Sequence, residues 1–86
     1  MKPFTDELGD RNIIGVQMAK IRAAKKMDVR VFCREVLTKG FDMTPPSVLK
    51  IEAQIKKVTD REILAIARAL DVPIADLFPE EDAENS

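Results

Sequence analysis

Residues 28–52 read DVRVFCREVLTKGFDMTPPSVLKIE, and this stretch decides the fold. Asp28 precedes a run free of Gly and Pro, and its short carboxylate suits a helix N-cap, where it accepts from an orphan amide. Phe32, Val36 and Leu37 then fall on one face at helical spacing, with Val29 and Val31 outside that stripe. Thr38-Lys39-Gly40-Phe41-Asp42-Met43 breaks the pattern as a turn, and Gly40 is the residue suited to a left-handed helix end. Thr44 caps the next helix, whose first turn is Pro45-Pro46. Proline is tolerated there because its missing N–H has no intrahelical partner in any case. Val48 and Ile51 face inward from this helix, while Leu49 and Ile55 fit the inward face less well.

Outward from this pair the chain stays helical. On the N-terminal side Asn12 caps a first helix with Ile14, Met18, Ile21 and Met27 at roughly helical spacing. On the C-terminal side Thr59 and Glu62 have the spacing of a capping box, opening a helix with the stripe Ile63, Ile66, Ala67 and Leu70. Pro73 starts a short fifth helix, with Leu77 and Phe78 as its buried residues, and Pro79 stops it. No stretch alternates apolar and polar residues well enough for a strand. The expectation is an all-α domain of five helices over residues 12–79, with an N-terminal arm at 1–11. Residues 80–86 read as an acidic, disordered tail.

Composition narrows the function. At 86 residues, 45% apolar and 34% charged, the chain is one soluble domain rather than a membrane or disordered one. Histidine is absent and Cys33 is the single cysteine. That removes His-based acid–base chemistry, Ser-His and Cys-His dyads, the usual zinc sites and any intrachain disulfide. No enzymatic activity, metal or cofactor is expected. No apolar run approaches the ~20 residues that span a bilayer, and no segment near the N-terminus has signal-peptide character. A cytoplasmic location with no membrane partner is therefore expected.

The net charge of −1 conceals an asymmetry. Residues 11–79 carry thirteen Lys and Arg against eight Asp and Glu, while the seven remaining carboxylates stand at the two ends. A basic body suits phosphate neutralisation, which depends on local charge rather than on the isoelectric point. Scattered Lys and Arg equally suit a solvated helical surface.

An ordered set of short matches gives a more specific reading. Ile14-Gly15, Met18-Ala19-Lys20-Ile21-Arg22, Met27 to Cys33, Thr44 to Glu52, Val58 to Ile63 and Ile66 to Val72 follow one another along the chain. Together they make residues 12–78 resemble the phage-repressor/Cro-like helix-turn-helix family, the lambda repressor-like DNA-binding domains. Gly40-Phe41-Asp42-Met43-Thr44 resembles a subgroup with a longer turn between helices two and three. The resemblance implies a compact five-helix domain acting as a sequence-specific, repressor-like transcriptional regulator. Its implied partners are double-stranded DNA and a second copy of itself, two half-sites being bound by a homodimer.

The resemblance also implies roles. The third helix, starting after Thr44, would enter the major groove and present Pro45, Pro46, Ser47, Leu49 and Lys50. Lys50 would donate to guanine O6/N7 and Ser47 to a base or a phosphate. The prolines would offer only apolar contact, for instance with a thymine methyl; otherwise they are a helix-start device. Lys56 and Lys57 would neutralise phosphates, as would Arg30, aided by the backbone N–H groups where its helix begins. Arg22 and Glu52 would pair and tie helix one to the end of helix three. Cys33 stands at a small buried position and reads as core filler, as do Met18, Met27 and Met43. Two features favour an alternative, a protein-interaction module that keeps the fold without base readout. They are Val29, where the family commonly has glutamine, and Pro45-Pro46, where it tends to carry polar side chains.

Overall fold

The computed structural model describes residues 11–79, and the expected acidic tail and most of the expected N-terminal arm lie outside them. Helix α1 spans Gly15–Ala24, α2 Val29–Thr38, α3 Pro45–Glu52 and α4 Asp60–Leu70. The described residues contain no strand. The fifth element differs from expectation: Ile74–Leu77 is a single 3₁₀ turn rather than an α-helix. Only four residues separate Pro73 from Phe78, which is too short for i→i+4 bonds to accumulate.

Helix starts follow local chemistry. Asp28 accepts from the Val31 N–H at 3.0 Å and opens α2. Thr59 and Glu62 form the reciprocal capping box that opens α4, Thr59 N–H donating to Glu62 Oε1 at 2.7 Å and Glu62 N–H to Thr59 Oγ1 at 3.1 Å. Thr44 is the N-cap of α3 by backbone geometry, but its side chain makes no capping bond. Pro46, at the second helical position, removes one of the two amides that a cap would serve.

All four helices end in the same closure. At α2 the Gly40 N–H donates to the Leu37 carbonyl and the Phe41 N–H to the Val36 carbonyl, the paired bonds of a Schellman motif. Gly40 supplies the left-handed residue, at φ 95°. In α1, α3 and α4 the equivalent positions are Lys26, Gln54 and Asp71, at φ 58°, 65° and 61°. α1 ends before Met27, so Met27 packs on the core from the turn and not from the helix.

The core is formed by Ile14 and Met18, Phe32 and Val36, Val48 and Ile51, Ile66 and Leu70, and Leu77, all nearly inaccessible. Helix α4 is the central element, buried along Ala65, Ile66, Ala67, Ala69 and Leu70. Its alanines let α1 and α2 approach closely, and both helices pack on it. Helix α3 packs on α1 and α2. The inward stripe of α2 is not the expected one: Leu37 is 56% exposed, whereas Val29 packs against the core beside Phe32 and Val36. Positions 29, 32 and 36 follow the 3.6-residue period more closely than 32, 36 and 37. Phe78 is half-buried rather than buried, and packs on the rim of the core.

Candidate nucleic-acid interface

Helix α3 is fixed from behind by polar contacts clustered at its C-terminal end. Asn12 is buried, and its side-chain amide is fully used. Nδ2 donates to the carbonyls of Ile51 at 3.0 Å and Lys56 at 2.8 Å. Oδ1 accepts from the N–H groups of Ile14 at 3.1 Å and Gly15 at 2.8 Å. Asn12 is not the N-cap of α1, which is Ile14, but its side chain binds two amides at that helix start, the end of α3 and the loop that carries Lys56 and Lys57. Gln54 returns the grip, its Nε2 donating to the Asn12 carbonyl and its own carbonyl accepting from the Arg11 N–H, both at 3.0 Å.

A second tie joins Arg22 of α1 to Glu52. Nε donates to Oε2 at 2.6 Å and Nη2 to Oε1 at 3.0 Å, a bidentate pair, while Nη1 donates to the Met27 carbonyl at 2.8 Å. The Glu52 hydrogen bond holds the Arg22 guanidinium above its ordinary pKa, against the opposing effect of burial. The side chains are only 17% and 9% exposed, so removing one leaves the other desolvated without its counter-charge. Glu52→Ala is accordingly expected to lower unfolding free energy by about 2 kcal/mol, below the full cost of a deeply buried pair. A urea midpoint equal to that of the parent would show that the pair contributes nothing.

With its back so occupied, α3 presents Pro45, Pro46, Leu49 and Lys50 outward, and Ser47 is half-buried at the edge of this face. Thr44 is exposed just before it. Beyond α3, Lys57 is exposed and Lys56 half-buried. Arg30 stands apart from these residues, exposed in the first turn of α2. Of the backbone amides expected to assist it, one, the Val31 N–H, is taken by the Asp28 cap. That bond is the leading reason that the Asp28 carboxylate has a pKa below the ordinary carboxylate value.

Comparison with protein-family models, curated proteins and solved structures returns no significant match.

Asn12 and Gln54 are the site-forming residues that sequence reasoning missed or under-read, since Asn12 reads there only as a cap and Gln54 not at all. Their partners lie about forty residues away along the chain. Cys33 is half-buried against the core, and burial, with Asp42 nearby, pushes its thiol pKa up. That disfavours the reactive thiolate. A shallow depression of 440 Å³ lies between the ends of α2 and α4, lined by Lys39, Ala67, Arg68, Asp71, Val72 and Pro73. Among the described residues no buried side-chain polar atom lacks a partner, so no orphaned group aims into it. No described helix is long and apolar enough to cross a membrane.

Proposed function

We propose that this protein is a sequence-specific, repressor-like DNA-binding transcriptional regulator of the lambda repressor-like helix-turn-helix kind. In this reading α2 and α3 are the helix-turn-helix pair, and α3 enters the major groove. The observation that supports it is the division of α3 into a fixed back and an outward face flanked by lysines. Among the described residues the polar ties to its neighbours sit at the Ile51–Gln54 end, while Pro45, Pro46, Leu49 and Lys50 face outward, with Ser47 half-buried at their edge and Val48 buried.

The roles follow from exposure and chemistry. Lys50 donates to guanine O6/N7, and Ser47 and Thr44 offer hydroxyls to a base or a phosphate. Lys56 and Lys57 neutralise phosphates from a loop that Asn12 holds in place. Arg30 reaches phosphate through its side chain. Two copies bind two half-sites about one helical turn apart.

Titrating binding against salt tests this reading. Replacing Lys56 and Lys57 with Ala should weaken binding to all duplexes similarly and reduce the slope of log K against log salt by about 1.8, at about 0.9 per phosphate contact. An unchanged slope would remove these lysines from the backbone. A second reading, a protein-interaction module on the same scaffold, is favoured by the apolar character of Pro45, Pro46 and Leu49 on the outward face. Absence of salt-dependent binding to any duplex would move the assignment there.

A further inference from the structure

We propose that α3 discriminates bases chiefly through the C5-methyl group of thymine, read by an apolar strip of Pro45, Pro46 and Leu49. The inference rests on the DNA-binding reading above. Pro45 and Leu49 are four residues apart and Pro46 and Leu49 three, so the three side chains adjoin on one helix face. All three are exposed, Leu49 by 52%, although α3 has buried Val48 and Ile51 on its other side. The strip offers no hydrogen-bond donor or acceptor. Among base edges in the major groove, the thymine methyl is the apolar feature that such a strip can recognise. Proline has no side-chain rotamer freedom to lose, so contact through Pro45 and Pro46 carries little ordering cost.

Charge identifies a polyanion as the occupant. Lys50 lies on the same helix, and Lys56 and Lys57 follow it. Glu52, the single carboxylate of α3, is bound by Arg22. The outward face of α3 therefore carries a cation, Lys50, and no free acid, with Lys56 and Lys57 following the helix in the chain and exposed Asp42 preceding it. A protein partner fits less well, because three side chains fall far short of the ~800 Å² per partner that stable protein interfaces bury.

The test uses the full chain and a duplex enriched from a random pool by binding. Each thymine in that duplex is replaced in turn by deoxyuridine, which keeps every hydrogen-bonding group and removes only the methyl. Affinity should fall about fourfold at each contacted position, the equivalent of about 0.8 kcal/mol for one buried methyl-sized group. Leu49→Gln, at an exposed position that leaves the core untouched, should lose at least one of these steps while keeping the salt slope and the melting temperature. Equal affinity for thymine and uracil duplexes, with salt-dependent binding retained, would overturn methyl reading and leave DNA binding standing. A thymine preference unchanged by Leu49→Gln would take Leu49 out of the strip. Failure to bind any duplex, together with self-association that Leu49→Gln abolishes, would overturn both readings and make the strip a protein-docking face.

Discussion

Asn12→Asp should lower the stability of this domain by about 3 kcal/mol at neutral pH, although it is nearly isosteric. In the parent, Oδ1 serves two amides at the start of α1, and a carboxylate oxygen can do the same. The loss comes from the other end. Nδ2 donates to two carbonyls, Ile51 and Lys56, and a carboxylate would turn a second oxygen toward both. Two donors disappear, two carbonyls lose their partner, and a charge is buried where the parent is 8% exposed. In a domain of this size the fall in melting temperature would be about 12–24 °C. The pH dependence has a definite sign. Burial and the facing carbonyls raise the folded pKa of the new carboxyl above its unfolded value of about 3.9. The deficit relative to the parent is therefore smallest below that value, where a proton restores one donor. It becomes complete as pH rises through the raised pKa. Chemical denaturation of both proteins from pH 3 to 7 checks this; a gap that did not widen with pH would contradict the bonding described.

Gly15→Ala is expected to cost about 3 kcal/mol, against the rule that alanine favours a helix over glycine by ~1 kcal/mol. A Cβ on Gly15 would be driven into the Ile51 carbonyl oxygen, and would lie 3.0 Å from both the Glu52 carbonyl oxygen and Gln54 Cγ. Two of these atoms belong to backbone, which no rotamer change can move. The ends of α1 and α3 would have to separate, stretching the Asn12 bonds that cross the same junction. A lower denaturant midpoint with an unchanged m-value is the expected signature. A variant as stable as the parent would mean that α1 and α3 do not meet this closely in solution.

Both substitutions strike a junction that the sequence conceals, and the reason lies in the range of the interactions. Asp28, Thr59 with Glu62, and Gly40 were legible because their partners lie within a few residues. Their geometry is set by local chain chemistry. Lys26, Gln54 and Asp71 close helices in the same way, but these residue types carry no mark of a left-handed backbone. Leu37 was misplaced although positions 29, 32 and 36 keep the helical period better than 32, 36 and 37, because Leu37 adjoins Val36 in the chain and is as apolar as Val29. Of the candidate site, Arg22 and Glu52 could be paired from family resemblance and from nothing local, since thirty residues separate them. Of the amides expected to assist Arg30, Asp28 takes one, the Val31 N–H, a competition that becomes visible only when donors are counted one by one.

The way α3 is held also bears on how such a scaffold diversifies. Val48, Ile51 and Glu52 fasten the helix, whereas Pro45, Pro46, Leu49 and Lys50 carry almost none of that duty. Changes at solvent-facing positions of this sort commonly alter stability by no more than ~0.5 kcal/mol. A lineage descending from this chain can rewrite those four positions one at a time without approaching its folding threshold. The same separation makes them natural sites for a randomised library, in which variants differ in what they contact while inheriting one backbone.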